Sequence, residues 1–257
     1  MIESMEGRRG APRDRPPFPT ERGYLNQPTA VNNVETLACV ARIMERGAAW
    51  FAAQGTQDST GTKLMSVSGD CAHPGIYEVP FGITLNALLD LAGGPDAAFV
   101  QVGGPSGQSV APKDFGRRLA YEDLSTGGSI MVFGAQRDVL DITLQFTNFF
   151  VDESCGWCTP CRVGTTLLRD RMKKIAAGRG TLGDIAAIDS LARTVMRTSR
   201  CGLGQTAPNP ILTTMRNFPA LYEARLRPEA FVPDVDLHAA LADSAALQGH
   251  RPVDEDI

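Results

Sequence analysis

The residues that could do chemistry in this chain are four cysteines. Cys155, Cys158 and Cys161 stand in ESCGWCTPCR with two residues between each pair, and Cys201 follows far downstream in SRCGLG. Three thiols at this spacing can point inward from one tight loop while a fourth closes the site from elsewhere. Cys-x2-Cys-x2-Cys is a recognised spacing for [4Fe–4S] ligation, in which four thiolates each meet one iron of a cube. Gly156 lets the loop turn, Pro160 directs the residues after it into a helix, and Gly202 and Gly204 let a second loop approach closely. Arg162 follows one cysteine and Arg200 precedes another. Positive charge there would offset the negative charge of a thiolate-bound cluster and raise its reduction potential.

Other readings of the same thiols stand beside this one. A four-cysteine zinc site more typically uses two separate Cys-x2-Cys knuckles, and Cys201 has no paired partner. Disulfides suit a secreted chain, and three cysteines in one loop leave awkward pairings. Unrelated core thiols would require a tight triple to arise by chance. A cysteine nucleophile lacks a base, because His73, His238 and His250 are far from the triple in sequence. Cys39 and Cys71 stand alone, and Cys39, inside a predicted helix, reads as a small core residue. Gly103-Gly104-Pro105-Ser106-Gly107 reads as a turn or a phosphate cradle, but it lacks the Lys-Ser/Thr of a P-loop. His73, before Pro74, reads as a surface turn residue.

Composition bounds what holds these residues. At about 150 residues per domain, 257 residues make one large domain or two modest ones. Apolar residues at 43% suffice for a core, and charged residues at 21% are too few for a disordered chain. A net charge of −4 argues against a nucleic-acid-binding protein. The start, MIESMEGRRGAPRDRPPFP, has no apolar signal region. The most apolar candidate span, LACVARIMERGAAWFAA, is interrupted by Arg42, Glu45 and Arg46. These features predict a soluble, cytoplasmic, reduced protein with no direct membrane insertion.

The elements follow from periodicity and punctuation. Met1–Met5 reads as a helix end stopped by Gly7, followed by an extended, proline- and arginine-rich arm. Asn33 can cap a helix from about Val34 to Gln54, with Leu37, Val40, Ala41, Met44, Ala48 and Phe51 on one apolar stripe. From Lys63 the period changes: KLMSVSG and GIYEVP are strands, Thr84 opens a helix ended by Gly93-Gly94-Pro95, and FVQVGGP and SIMVF are further strands. That order predicts a small β-grasp-like roll. Beyond Gly134 the pattern is helical: a stripe from Val139 to Phe150, then helices over about Pro160–Ala177, Leu182–Thr198 and Pro210–Arg225. Pro219 predicts a kink or early stop in the last. Four helices with short connections read as a bundle. The run DVDLHAALADSAAL predicts one loosely attached helix, and Gln248–Ile257 reads as disordered.

Several motifs together resemble a known family. GRRGAPRDRPPFP, PTAVNNVETLACVARIMERGAAWF, SGDCAHPGIYEVPFGITLNALL, VGGPSG, ESCGWCTPCRVG and SRCGLG occur in order over nearly all of residues 2–226. They resemble the NADH-oxidising flavin subunit of respiratory complex I, NAD-reducing soluble hydrogenases and NAD-dependent formate dehydrogenases. GDCAHPGIYEVPFGITLNALL, with GGPSG, LAYEDLS and CGLGQTAPNPILTTM, looks closest to the hydrogenase diaphorase branch. The resemblance implies an α+β chain divided into a remnant of an α/β FMN/NADH domain over residues 1–60, a ubiquitin-like β-grasp (SLBB) domain over 61–133, a four-helix bundle over 134–228, and a partly disordered tail over 229–257. It implies that Cys155, Cys158, Cys161 and Cys201 hold a [4Fe–4S] cluster. It implies that Asn32, Asn33 and Thr36 contribute to FMN binding, although the same residues also read as an ordinary helix N-cap. The family passes electrons from NADH through FMN to the cluster and on to other iron–sulfur subunits.

One departure from the family is large. Its glycine-rich flavin loop and its nicotinamide-stacking residues would lie upstream of this sequence. The expectation is therefore a cluster site without catalytic residues of its own, and FMN only when a separate FMN/NADH-binding polypeptide completes it. A non-catalytic docking module and half of a split diaphorase remain the alternatives.

Overall fold

The computed structural model describes residues 1–228 together with 241–242 and 246–247. Both expectations for the tail, the helix in DVDLHAALADSAAL and the disordered end, lie outside the described residues apart from those four positions. The chain is a mixed α+β structure with one open five-stranded sheet. Its elements run α1 (Ile2–Met5), α2 (Val34–Arg46), α3 (Ala48–Ala52), β1 (Thr62–Gly69), β2 (Gly75–Pro80), α4 (Leu85–Ala92), β3 (Phe99–Val102), β4 (Gln108–Val110) and β5 (Ser129–Phe133). The helices α5 (Val139–Asp152), α6 (Thr159–Ala176), α7 (Leu182–Thr198), α8 (Gly202–Thr206), α9 (Asn209–Asn217) and α10 (Pro219–Glu223) follow.

The sheet order is β2-β1-β5-β3-β4, with β1 and β5 parallel and the other pairs antiparallel. Alternation sorts its side chains. Val67, Val100, Val102, Ile130 and Val132 join Leu85, Leu88 and Leu89 of α4 in one apolar core. Thr84 caps α4 by accepting from the Ala87 amide at 3.2 Å, and Gly93 ends it in the left-handed region. β3 is buried along its whole length, so its alternate residues meet a second set of partners. Phe99 stacks on Phe133 at 4.6 Å and meets Phe218 edge-on at 5.9 Å, while Phe133 meets Phe146 of α5. At the sheet edge, the Ser109 amide donates to Thr213 Oγ1 at 3.0 Å and Asn217 donates to the Ser109 carbonyl at 2.7 Å. Edge-strand groups of β4 are thereby satisfied by α9.

The helical part has its own core of Leu140, Leu168, Met172, Ile175, Ile188, Ala192, Val195, Ile211 and Tyr222. Asp138 caps α5 by accepting from the Leu140 and Asp141 amides. Thr181 and Asp184 form a reciprocal capping box at the start of α7. Burial pushes the Tyr222 phenol up to about 12, and its oxygen lies 2.7 Å from Thr214 Oγ1.

Three expectations change. The helix expected to reach Gln54 stops at Arg46, because Gly47 takes φ +87°, and α3 restarts after it. Its apolar stripe meets no core: α2 contains no buried residue, Cys39 is only half-buried, and Val34 and Met44 are each 81% exposed. Glu35 holds α2 to β1 instead, accepting from the Leu64 amide at 2.8 Å and pairing with Lys63. The final helix breaks at Phe218, immediately before Pro219, as the proline predicts. The Gly103–Gly107 segment is a tight turn, with Gly103 at φ +96° and the Ser106 carbonyl accepting from Asn209 at 2.8 Å.

One surface pair ties the end of β1 to the loop after β5. Arg137 donates to both oxygens of Asp70 at 2.9 and 2.8 Å, and the Gly134 amide adds a third bond. Arg137 first, then Gly134, lowers the Asp70 carboxyl to about 2. Because the folded value lies below the ordinary 3.8, this stabilisation is complete above that pH and disappears as pH falls toward about 2. Asp70→Asn is therefore expected to lower the urea midpoint at pH 7, with the gap to wild type closing at pH 2. A gap unchanged with pH would refute the assignment.

Candidate metal centre

Two helix junctions build the site. Between α5 and α6 the chain runs through Cys155, Gly156 at φ +77°, and Cys158, which is the N-cap of α6. Pro160 occupies the first turn of α6, and Cys161 follows it on the buried face. Between α7 and α8 the chain passes through extended Ser199 to Cys201, the N-cap of α8. All four thiols line one cavity of about 340 Å³. Cys161 is buried, and Cys155, Cys158 and Cys201 are half-buried. All six cysteines are free thiols, so the disulfide reading finds no support.

Close packing holds the two junctions together. A Cβ on Gly204 would sit 2.3 Å from Ser199 Oγ and 3.0 Å from the Cys161 Cβ, so only glycine allows this approach. A Cβ on Gly164 would sit 2.3 Å from Val195 Cγ2, which sets the close crossing of α6 and α7. Polar groups brace the first loop. Ser154 Oγ accepts from the Gly156 amide at 3.3 Å and lies 3.4 Å from Cys161 Sγ. Arg162 donates to the Gly156 carbonyl at 2.6 Å, and Arg9 donates to the Cys155 carbonyl at 3.0 Å. Arg200 lies over the Trp157 ring at 5.3 Å and pairs with Asp14.

The donor set fits a cluster. Burial pushes the Cys161 thiol up, the facing Cys158, Cys201 and Cys155 push the same way, and the Ser154 hydroxyl opposes them. Four thiolates in this cavity would repel one another unless a cationic group were bound among them. Four thiols in one cavity, three of them from a single loop, suit a group offering several irons better than the paired knuckles typical of zinc. Ser199 Oγ is buried without a hydrogen-bond partner.

The sequence-derived residues distribute unevenly. The structure brings together all four cysteines of the spacing argument. Arg162 braces the loop backbone, a role that its position after Cys161 did not disclose. Asn32, Asn33 and Thr36 are exposed and do not line this cavity, and Asn33 caps α2 by accepting from the Glu35 amide at 2.8 Å. His73 is exposed in its turn. Sequence reasoning missed Arg9, Asp14, Ser154 and Ser199. Ser154 and Ser199 lie beside the cysteine motifs and were open to inspection, whereas nothing local marks Arg9 or Asp14.

The chain is similar to known proteins. Residues 141–225 match the family described as the NADH-ubiquinone oxidoreductase-F iron-sulfur binding region. The alpha subunit of the NAD-reducing hydrogenase HoxS of Cupriavidus necator is 52% identical over 94% of this chain and 40% of its own length. The HndC component of the NADP-reducing hydrogenase of Solidesulfovibrio fructosivorans is 44% identical over 88% of this chain and 48% of its own. A component of the NADH-quinone oxidoreductase of Streptomyces coelicolor is 38% identical over 88% of this chain and 53% of its own. The chain thus spans about half the length, or less, of these relatives. A crystal structure of an NAD+-reducing [NiFe]-hydrogenase in the H2-reduced state superposes with a TM-score of 0.92 at 45% identity, covering 99% of this chain and 45% of that one. Residues 141–225, which contain all four clustered cysteines, are thus similar to the NADH-ubiquinone oxidoreductase-F iron-sulfur binding region, and most of the chain is similar to part of these larger oxidoreductase components.

Proposed function

We propose that this chain is the iron–sulfur electron-transfer part of an NADH-linked oxidoreductase, with Cys155, Cys158, Cys161 and Cys201 holding one [4Fe–4S] cluster. The observation that carries the reading is one cavity into which two helix junctions bring four free thiols. Such a cluster, when bound, takes up and releases single electrons. The chain's own residues position it: Gly204 admits the second junction, Arg9 and Arg162 fix the first loop, and Ser154 places its hydroxyl beside the Cys161 sulfur. The helix N-termini at Cys158 and Cys201 turn their positive ends toward this negative site.

In this reading, residues 61–133 are a β-grasp unit of SLBB type and 134–228 a four-helix bundle, with 1–60 the remnant of a flavin domain and 229–257 a tail. Electrons arrive from FMN and leave to other iron–sulfur subunits, in a cytoplasmic setting. Among the described residues no helix is long and apolar enough to cross a membrane. The names of the hydrogenase and quinone-oxidoreductase relatives support an NADH-linked assembly. Anaerobic purification with iron and sulfide analysis is expected to give about four irons per chain, with an EPR signal on dithionite reduction. One zinc and no iron after anaerobic reconstitution would overturn the reading.

The exposed apolar face of α2 favours one refinement. Val34, Leu37, Val40 and Met44 form an uncovered stripe beside Asn32, Asn33 and Thr36. A separate FMN/NADH-binding polypeptide seated there would bury the stripe and complete an FMN site with those three residues. The chain alone is then expected not to reduce a dye acceptor with added FMN and NADH. Turnover by the chain alone would refute the refinement. Unfolding by a chelator, with no reducible signal, would instead favour a docking module.

A further inference from the structure

Resting on the cluster reading, we propose that the arm over residues 1–27 is a redox-linked strap on the cysteine site, with Arg200 as the positioning residue that couples the two. Met1, Gly10, Ala11 and Pro12 line the same cavity as the four thiols. Arg9 reaches the ligand loop through the Cys155 carbonyl. Pro12, Trp157 and Arg200 line both this cavity and a second one of about 570 Å³ beneath the arm. Arg200 therefore stands at the seam, one residue before Cys201, stacked on Trp157 and paired with Asp14 of the arm.

The arm has little apolar anchorage. Among its residues only Gly23 is buried. Its polar ties are largely to itself: Arg13 pairs with Glu3 and Glu6, and Glu6 also accepts from the Leu25 amide at 2.8 Å. A segment with few buried contacts opens at low cost, so a modest change in one ion pair can move its docking equilibrium. The Asp14 carboxylate is 84% exposed, which keeps its pair with Arg200 weak and reversible.

Arg200 serves two negative partners, Asp14 on one side and the thiolate-bound site on the other. One electron added to the site strengthens its pull on Arg200 and its repulsion of Asp14. The Asp14–Arg200 contact weakens and the strap loosens. Linkage requires the reverse as well: a docked strap must favour the oxidised site. The strap would thus cover the cluster when it is oxidised and release it after an electron arrives.

The test uses the full chain with its cluster reconstituted anaerobically. Trypsin cleavage at Arg9–Gly10 is timed in the oxidised and dithionite-reduced states, normalised to an unstructured peptide carrying the same site in the same buffer. The reduced protein is expected to be cut several-fold faster. Asp14→Asn, a change at an exposed position that leaves the fold intact, is expected to be cut fast in both states and to shift the EPR-monitored potential upward. Equal wild-type rates in the two states, or a potential unmoved by Asp14→Asn, would overturn the strap. Iron and sulfide content on the same sample separates the two ideas. A loaded protein with equal rates refutes the strap alone, and a protein without iron refutes the cluster reading beneath it.

Discussion

Cys158→Ala is expected to remove nearly all the bound iron, while Cys39→Ala and Cys71→Ala keep it at the wild-type level. The contrast follows from placement. Cys158 sits at the N-cap of α6 and lines the shared cavity, whereas Cys39 lies on the exposed helix α2 and Cys71 packs against the sheet core that includes Val132. A cube held by three thiolates has one open iron and is lost more readily under oxygen and chelation. The same loss is expected for Cys201→Ala, although that residue comes from the other helix junction. The check is iron and sulfide per chain, with EPR of the reduced sample. Iron retained by Cys158→Ala and lost by Cys71→Ala would move the site elsewhere.

The second large effect lies away from the metal, at the start of α7. Asp184 is 3% exposed and accepts from the Thr181 amide and hydroxyl, both at 2.9 Å, while pairing with Arg171 at 2.7 Å and Lys174 at 3.1 Å. Burial alone would raise its carboxyl, but the Thr181 hydroxyl and Lys174 outweigh it and hold the group below its ordinary range. Asp184→Ala removes the capping box and the buried bonds that its carboxylate accepts from Arg171 and Lys174. Breaking such a pair from one side typically costs about 3 kcal/mol or more. Equilibrium urea unfolding should show that loss, with Asp184→Asn intermediate because it keeps some of the bonds. A loss below about 1 kcal/mol would place the pair in the class of surface ion pairs.

Much of this architecture is legible without coordinates, for identifiable reasons. The clustered cysteines declare themselves because thiols at Cys-x2-Cys-x2-Cys spacing are rare and the loop that gathers three of them is local. α6 and α7 are long, amphipathic and clearly punctuated, Pro160 and Thr181 at their starts and Gly178 after the first, so periodicity finds them within a residue or two. β4 and α8 escape because three and five residues are too few to show a period, and Gly202 and Gly204 speak against a helix by propensity. The fate of the α2 stripe is not written in its own residues. An amphipathic pattern says that a helix has an apolar face, and not what covers it. Arg9 and Asp14 meet the cysteine loops from the far end of the chain, a contact that no local signal encodes.

The placement of Cys161 and Cys201 has one more consequence. They stand at the two ends of the α6–α7 pair, one inside the first turn of α6 and one just past the end of α7. A group bonded to both closes that hairpin into a ring, as a disulfide would. For a ring of roughly 40 residues, such a closure removes about 4 kcal/mol of chain entropy from the unfolded ensemble. Oxidative loss of the cluster would then cost the chain more than an electron site. It would reopen the ring, and the same event that silences the protein would expose it to degradation.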